Sequence, residues 1–497
     1  MNEKIDDVDR ISILPAFIMH HILSFLPRKD AAKTSLLSKK WNCVWSSFPI
    51  LDFNQIYYLD CNGFHFPDTR SHPSHNNQKR AEKFMNIVDQ SLSRFHQHKL
   101  QMQKFKLHMT LVDIKLASWV DKWIELALEH DAKEIDLMVR TEKDPWYTFP
   151  ETIFVTKSTS SCKLDEPFSR SDVKLYSLQK LWLEDIYVNE EVIQAIIHIC
   201  PFITYFAIIR CKGVKPLDIA TFHNLKQLYL SGLSITDQYL HFNISRFPHL
   251  ETLQLFICNE LERIKISAQG LKMLEMEQCR KLVEVEIDAP NLSSFQYSDI
   301  RNEFPMIFSK NAPCPFELSL LSLSHRIDTL WFLKLRELLV MSNQRKVLRL
   351  TIHCQEVIFN LEELRGITLP PPFELELLKL DVNVGNSTLS FDYGSLIDGL
   401  LWSCCPKIFS LPTVLDFQKK CIKVLCEMVL GKEDPDCCCS FNHKCWRHHL
   451  KGAKIVTAGI EGLLDCKTLF DTWPTLPIGQ KIQFRLDWEH HLHGRVT

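Results

Sequence analysis

A nine-residue pattern that recurs along the middle of the chain constrains the fold more than any other feature. Six copies begin at residues 178, 203, 225, 250, 271 and 292. Each has an apolar or aromatic side chain at its positions 1, 4, 6 and 9, as in LETLQLFIC and LKMLEMEQC. Positions 4 and 6 point to the same side of a short strand, and position 9 turns back toward the core. A single copy cannot bury this side, so the copies are expected to stack.

The pattern matches the leucine-rich repeat template, L-x-x-L-x-L-x-x-[NC], whose period is about 20–29 residues. It predicts an α/β repeat protein built as an irregular, curved solenoid. Cysteine occupies position 9 in three copies, which favours a ladder of buried thiols over metal ligands or redox sites: Cys211, Cys258 and Cys279. After residue 300 the spacing becomes irregular, and degenerate strands are predicted from Leu335, Leu361 and Leu375.

A second constraint comes from residues 9–45, DRISILPAFIMHHILSFLPRKDAAKTSLLSKKWNCVW. From Leu14 the apolar side chains recur at helical spacing along one face, but Met19 and Leu23 lie outside that face. Pro15 suits the start of this helix, where no N–H donor is needed. A helix that is apolar on two sides is buried on two sides. Either the rest of the chain or another protein must cover the second side, and a terminal position favours another protein.

Two shorter helices are predicted to complete this amino-terminal unit. One spans about Asp30–Leu37 and is led by its aspartate. The other follows Ser38 as N-cap and carries Trp41. The first helix has several apolar residues, among them Phe17 and Phe25. The sequence does not decide whether they pack a local core or contact a partner. Three helices in about 40 residues make a marginal unit by themselves.

This stretch closely resembles the F-box in the form common in plant proteins. The usual pattern is D-R-I-S-x-L-P-D, then I-L-x-x-I-L-S-F-L-P, and later T-S-x-L-S-[KR]-[KR]-W; Ala16, Met19 and Lys40 depart from the commonest residues. The resemblance implies docking onto the adaptor subunit of an SCF-type ubiquitin ligase and, through it, onto a cullin. By position it implies these adaptor contacts: Leu14, Pro15, Ile22, Leu23, Leu26, Pro27, Leu37, Trp41 and Trp45.

The order of the two parts is similar to that of plant F-box proteins with leucine-rich repeats, in which the F-box leads and the repeats follow. In that family the repeats generally form the surface that selects a target protein. The resemblance therefore implies target binding on the exposed strand face, at Trp182, Lys226, Tyr229, Gln254, Lys272 and Glu275. The alternative is a solvated sheet face without a ligand, where aromatic residues simply support the strands.

Four segments follow from these patterns. Residues 1–50 are assigned to the F-box, 51–100 to a linker and helix, 101–400 to the repeat solenoid, and 401–497 to a C-terminal cap. A cap is expected because the final repeat otherwise exposes its apolar side. Within it, FQKKCIKVLCEMVL predicts an amphipathic helix and QKIQFRLDWE predicts a closing strand.

Composition excludes several classes of partner. The formal net charge is −2, from 58 basic and 60 acidic side chains, so no basic footprint for nucleic acid is present. The first ten residues lack the pattern of a secretory signal, and the most apolar stretch, Val192–Ile209, is interrupted by polar residues and a proline. We therefore expect no membrane partner and a cytoplasmic or nuclear location. In that setting the 18 cysteines are interpreted as thiols rather than disulfides.

One tract is rich in metal-ligand residues. Cys437, Cys438, Cys439, His443, Cys445, His448 and His449 fall within 13 residues, a density that can bind zinc. The spacing lacks paired C-x-x-C units, and three adjacent cysteines do not easily face one ion. The tract is therefore interpreted as a strand or helix edge on the last repeat, and no metal or cofactor is predicted.

The sequence contains no G-x-G-x-x-G, P-loop, G-x-S-x-G or H-E-x-x-H motif, which favours a non-catalytic protein. The predicted function is the substrate-recognition subunit of an SCF-type ubiquitin ligase. Two alternatives remain open: an interaction scaffold that binds the adaptor without promoting turnover, and a receptor that senses a small molecule through a pocket in the repeats.

Overall fold

The computed structural model describes residues 11, 13–56, 75–141, 144–150, 175–214, 222–300, 303–310, 317–341, 347–364, 367, 372–384, 391–412, 416–430, 446–457, 460–464, 469 and 481–489. The chain divides into two compact units, Met1–Tyr229 and Leu230–Thr497. The helices of the first unit are α1 Ala16–Ser24, α2 Arg28–Thr34, α3 Lys39–Ser46, α4 His75–Gln97, α5 Ala117–Glu129 and α6 Glu190–Ile199. Its strands are β1 Ile50–Asn54, β2 Lys104–Leu111, β3 Glu134–Thr141, β4 Lys180–Glu184, β5 Tyr205–Ile209 and, at the boundary, β6 Gln227–Ser231.

The second unit contains the remaining elements. Its helices are α7 Asp237–Ile244, α8 Thr329–Met341, α9 Tyr393–Ser403 and α10 Asp416–Leu430. Its strands are β7 Thr252–Phe256, β8 Arg263–Ser267, β9 Met273–Glu277, β10 Glu284–Asp288, β11 Ser294–Asp299, β12 Met306–Ser309, β13 Glu317–Ser322, β14 Arg326–Ile327, β15 Val347–His353, β16 Glu356–Val357, β17 Phe373–Asn383, β18 Cys404–Pro412, β19 Leu450–Thr457, β20 Ile460–Leu464 and β21 Lys481–Trp488.

The three predicted amino-terminal helices are present. The hydroxyl of Ser38 accepts a hydrogen bond from the Trp41 backbone N–H at 3.2 Å, which confirms the predicted N-cap of α3. Helix α2 ends at Thr34, earlier than predicted, and Leu37 lies in the turn that follows it. The three helices share one small core: Met19, Leu23, Ala31, Trp41, Val44 and Phe48.

Parallel strands form the body of the first unit. Neighbours pair in register in the order β1-β2-β3-β4-β5, so that Asp52, Lys106, Asp136, Trp182 and Ala207 form one row across the sheet. Strands β1 and β2 precede the first copy of the repeat pattern, and β1 runs from residue 50 into the segment assigned to a linker and helix. Helix α4 is the helix predicted in that segment, and it buries Phe84 and Val88.

The second unit continues the same architecture. Strands β7, β9, β11, β13, β15, β17 and β18 are consecutive parallel neighbours. Strand β21 then pairs antiparallel with β18 and with β19, which confirms the predicted closing strand. The predicted strand from Leu375 is β17, and FQKKCIKVLCEMVL forms α10. These antiparallel strands complete the end of the sheet.

Two of the predicted degenerate strands are wrong. Leu335 lies within helix α8, and Leu361 begins a short 3-10 helix. Helix α8 buries side chains around most of its circumference, among them Trp331, Phe332 and Leu339. A helix that is apolar on several sides cannot be told from a buried strand by its pattern alone, which explains the error.

The length of each repeat decides what forms on the opposite side of the main sheet. Repeats spaced by 25 residues, which begin at 178 and 225, return through helices α6 and α7. Repeats spaced by 21 residues, which begin at 250 and 271, return through β8 and β10. These strands and β12 form a second parallel sheet. An extended residue advances about 3.3 Å and a helical residue only 1.5 Å, so a shorter return must be extended.

Position 8 of successive repeats has left-handed backbone. The positive φ angles are 56° at Asp185, 48° at Arg210, 66° at Gly232, 54° at Ile257 and 51° at Gln278. The backbone N–H at this position donates to a carbonyl of the neighbouring repeat, for example Ile257 to Glu277 at 2.8 Å. The left-handed residue therefore turns the chain out of the strand while keeping its N–H in the ladder.

Gly232→Ala is expected to lower the free energy of unfolding by about 1 kcal/mol, because alanine at positive φ meets a steric penalty that glycine avoids. Chemical denaturation measures the difference. Gly452→Ala is the matched control: a Cβ there meets nothing within 4 Å and no positive φ is present. Equal stability of both variants and the wild type would show that the turn at position 8 tolerates a side chain without cost.

The cysteines at position 9 of three repeats lie in the core. Cys211, Cys258 and Cys279 are buried free thiols, which confirms the predicted ladder. Of the cysteine- and histidine-rich tract, residues 437–445 lie outside the described residues, while His448 and His449 belong to a 3-10 helix that leads into β19.

The most apolar stretch, Val192–Ile209, forms part of α6 and strand β5. Among the helices that the structure describes, none is long and apolar enough to cross a membrane.

Candidate functional site

Large apolar side chains are exposed together on the amino-terminal helices and their flanking turns. Six of them are at least half exposed and define what we call the N-terminal apolar surface: Ile11, Ile13, Phe17, Phe25, Leu36 and Leu37. Leu36 is 85% and Phe25 75% exposed, values far above those of core residues. Helix α1 turns Met19 and Leu23 into the local core, so its second apolar side is left to solvent. Exposed apolar patches are frequent at protein interfaces, so these residues form the first candidate surface.

The structure separates the predicted adaptor contacts into three groups. Pro15, Leu26, Pro27 and Leu37 are exposed. Leu14, Ile22 and Trp45 are half-buried, whereas Leu23 and Trp41 are buried in the three-helix core. The first two groups are available to a partner, and the buried pair holds the helices that present them.

Sequence reasoning omitted Ile11, Ile13 and Leu36 and left Phe17 and Phe25 undecided; all five belong to the N-terminal apolar surface. Their apolar character was the available signal. It did not show which of two apolar sides of α1 faces the other helices.

Polar contacts fix the geometry of this surface. The Lys40 ammonium donates to the Leu14 carbonyl at 3.0 Å and so ties α3 to the start of α1. The imidazole Nε2 of His20 lies 3.1 Å from the Val44 carbonyl and 3.2 Å from the Ser47 hydroxyl. These bonds hold α1 against α3 from the polar side while Met19 and Leu23 pack from the apolar side.

A second candidate surface is the outward face of the main sheet. In the first unit, the Trp182 ring stacks on Tyr229 with centroids 5.4 Å apart and on Tyr205 with centroids 6.1 Å apart. Ala207 is the register partner of Trp182 and is completely buried, so its small side chain leaves room for the rings to meet. The indole N–H of Trp182 donates to Glu184 at 3.0 Å. Burial, with smaller effects from Tyr229 and Asp136, raises the pKa of Tyr205 and keeps it neutral.

Charged groups beside these rings are mutually paired. Asp136 lies 2.7 Å from His108 and 3.3 Å from Lys106. Burial opposes ionisation of Asp136, but His108 and Lys106 outweigh it and lower the pKa of this carboxyl. At the ends of the strands, Arg140 and Arg210 both donate to Asp185, at 2.5 and 2.8 Å. Burial raises the pKa of the Asp185 carboxyl, but Arg210 and Arg140 lower it by more, so the net shift is downward. Both carboxyls remain ionised.

The second unit presents a polar row on the same side of its strands. Gln254 and Gln296 donate their side-chain N–H groups to the two oxygens of Glu275, at 2.7 and 2.9 Å. Farther along the sheet, Glu317 accepts from Arg349 at 2.6 Å and from Lys379 at 2.7 Å. The row therefore consists of ordered, hydrogen-bonded side chains.

The six predicted target contacts fall into separate places. Trp182 and Tyr229 stack on each other in the first unit, and Gln254 bonds Glu275 in the second. Lys272 forms an ion pair with Glu251 at 2.9 Å, just before β9, and Lys226 is exposed just before β6. Tyr205 also stacks on Trp182 but is not among the predicted contacts; its aromatic side chain at position 3 of its repeat was the available signal. Among the described side chains, no group of three His, Cys, Asp or Glu residues is arranged to hold a metal ion.

A three-helix unit followed by stacked parallel-strand repeats defines a solenoid repeat protein with an amino-terminal helical module. Comparison with protein families agrees: the family described as At1g61320/AtMIF1, LRR domain, matches residues 94–222 and 216–419, and the F-box domain matches residues 11–53. The chain belongs to the F-box/LRR-repeat family.

Curated relatives carry the same designation. The F-box/LRR-repeat protein At5g02910 of Arabidopsis thaliana is 30% identical over 257 residues, which is 51% of this chain and 49% of that protein. The putative F-box/LRR-repeat protein At5g41840 of the same plant is 28% identical over 306 residues, 59% of this chain and 50% of that protein. A third, the F-box/LRR-repeat protein At3g59200, is 34% identical over 188 residues, 37% and 32% of the two chains. The chain thus spans about half the length of the first two relatives.

Proposed function

We propose that this protein is the substrate-recognition subunit of an SCF-type ubiquitin ligase, docked to the adaptor by its F-box and to a target protein by its repeats. The observation that carries this proposal is the N-terminal apolar surface, six exposed apolar side chains on a unit whose own core is already filled. Family membership supports it, because F-box domains generally bind the adaptor of such ligases.

The proposed mechanism is proximity. The adaptor and cullin carry the ubiquitin-transferring machinery, and the repeats hold a target beside it, which converts an encounter between two proteins into a reaction within one complex. This chain then needs no catalytic residue of its own. Its contribution is the geometry of two surfaces.

We assign the adaptor contact to the N-terminal apolar surface together with the exposed and half-buried members of the predicted set. We assign the target contact to the outward face of the main sheet, with the stacked Trp182, Tyr205 and Tyr229 as its principal aromatic site in the first unit. Tryptophan and tyrosine dominate the energetics of many protein interfaces because they bury large rigid surfaces. The mutual stacking of these rings limits the entropy that binding would cost.

The test uses full-length protein co-purified with adaptor and cullin. Proteins from plant extract that bind the wild type and are lost with Trp182→Ala are identified by mass spectrometry. Each is then incubated with the reconstituted ligase, and ubiquitin transfer is followed. We expect transfer with the wild type and none with Trp182→Ala or with a variant that cannot bind the adaptor.

Three outcomes would contradict the proposal in whole or in part. A captured protein that binds stably but receives no ubiquitin would favour the scaffold alternative. Capture that depends on an added small molecule would favour a receptor that senses a ligand. Equal capture by the wild type and Trp182→Ala would remove the aromatic site from the target contact.

A further inference from the structure

Two carboxylates on strand β9 differ from the other acidic groups of this sheet face. Glu275 and Glu277 are two residues apart, both half-buried and both on the outward face of the strand. Glu275 accepts from the amides of Gln254 and Gln296. Among the described side chains, the one hydrogen bond to the Glu277 carboxylate comes from the Gln278 amide, at 3.4 Å.

Two other glutamates of the second unit have cationic partners. Glu251 pairs with Lys272, and Glu317 pairs with both Arg349 and Lys379. Among the described side chains, no lysine, arginine or histidine forms an ion pair with Glu275 or Glu277. Two neighbouring negative charges therefore lie partly out of water without a counter-charge.

The electrostatics of Glu277 agree with this arrangement. Burial raises the pKa of its carboxyl, and the adjacent charge of Glu275 raises it further. Both effects disfavour the ionised form, and a positive group placed between the two carboxylates would relieve both.

An independent observation comes from the next strand. Ser298 is the register partner of Glu277 and is only 1% exposed. Its hydroxyl is buried and has no hydrogen-bond partner. Buried hydroxyl groups are nearly always hydrogen-bonded, so an unpartnered one beside two carboxylates that lack a cationic partner is a second, independent feature of a candidate polar site.

The three side chains are close enough to share one ligand. Adjacent strands lie about 4.8 Å apart, and residues two apart along a strand are separated by about 6.6 Å. All three offer acceptor oxygens. A lysine ammonium is compact, carries a positive charge and has three N–H donors.

We propose that Glu275, Glu277 and Ser298 form a subsite that receives a lysine side chain of the target protein. This inference rests on the proposed function and specifies the chemistry of the target segment: a lysine held by two carboxylates and one hydroxyl. Gln254 and Gln296 position the Glu275 carboxylate from both sides.

The test presents a random twelve-residue peptide library, displayed on phage, to the full-length protein bound to its adaptor. Selections run in parallel on the wild type, on Glu275→Gln/Glu277→Gln, and on Glu284→Gln. The last variant removes one carboxylate from β10 of the second parallel sheet and is the control for loss of negative charge outside the proposed subsite. We expect lysine to be enriched with the wild type and with Glu284→Gln, and not with the double variant.

One selected peptide is then measured by calorimetry together with its norleucine and arginine analogues. Replacing lysine by norleucine should weaken binding to the wild type about tenfold or more, since a charge-assisted hydrogen-bond set is lost. The same replacement should have almost no effect on binding to the double variant, as expected for directly coupled groups. Ser298→Ala should weaken the lysine peptide and leave the norleucine peptide unchanged.

Several results would overturn the inference: no lysine enrichment with the wild type, equal enrichment with the double variant, or arginine peptides that bind as tightly as lysine peptides. Adaptor binding is recorded in the same samples. Lost lysine selection with intact adaptor binding refutes only this subsite, whereas absent adaptor binding refutes the proposed function.

The stability of Glu277→Gln follows from the electrostatics of this carboxyl. The pKa of Glu277 is higher in the folded chain than in the unfolded one, so its ionised form lowers stability at pH values above the unfolded pKa. Glutamine removes that charge. The Tm of Glu277→Gln at neutral pH should therefore equal or exceed that of the wild type.

Discussion

A full-length variant that carries Phe25→Ser and Leu37→Ser is expected to lose adaptor binding while its Tm stays at the wild-type value. Both side chains are exposed, 75% and 69%, and neither belongs to the three-helix core. Full burial of one such side chain contributes about 1.5–3 kcal/mol. Removal of both should raise the Kd for the adaptor by about a hundredfold or more. Calorimetric titration of purified adaptor into each protein measures this change.

The matched control carries Phe242→Ser and Leu330→Ser. These two substitutions are chemically the same as those in the test variant. They change side chains that are 57% and 52% exposed and lie outside the N-terminal apolar surface. The control should bind the adaptor like the wild type. If both double variants bind equally well, the N-terminal apolar surface is not the adaptor contact.

Trp41→Ala should unfold the amino-terminal helices and leave the repeats intact. The Trp41 side chain is 6% exposed and packs with Met19, Leu23 and Val44 in a core of few residues. Truncation of a buried tryptophan costs about 3–5 kcal/mol. A three-helix unit of this size has little stability to spare. Hydrogen exchange followed by mass spectrometry should show lost protection in α1–α3 and unchanged protection in β7–β11.

Val44→Ala is the milder companion in the same core, where a smaller truncation should leave the helices protected. Persistent protection of α1–α3 in Trp41→Ala would mean that contacts outside the three-helix core stabilise this unit.

The repeat pattern predicted β4, β5, β6, β7, β9 and β11 because each copy places apolar side chains at fixed intervals along a short strand. Strand β2 alternates just as well, yet it stands without a second copy nearby and was not identified. The strands of the second sheet were also missed, although LERIKISA and LVEVEIDA, which contain β8 and β10, share one apolar spacing 21 residues apart. In α8, leucines at strand-like intervals were misread because the helix is buried on several sides.

The candidate surfaces were likewise predicted only in part. Sequence identified the amino-terminal stretch as a docking unit, since too many of its residues are apolar for three helices to bury. It did not distinguish Leu23, which fills the core, from Phe25, which does not, because both choices satisfy helical spacing. The pairing of Glu275 with two glutamines follows from equal positions in consecutive repeats. The unpartnered hydroxyl of Ser298 depends on three-dimensional burial, which no local pattern encodes.

The second parallel sheet has a consequence for the strands that it backs. Repeats with helical returns are joined to their neighbours by one ladder of main-chain hydrogen bonds, whereas the repeats around β9 and β11 are joined by two, because β8, β10 and β12 pair on the far side. Two hydrogen-bond ladders on opposite sides of a repeat restrain its bending more than one ladder does. The carboxylates of Glu275 and Glu277 are thus carried by a strand whose repeat is held to its neighbours by two ladders of main-chain hydrogen bonds.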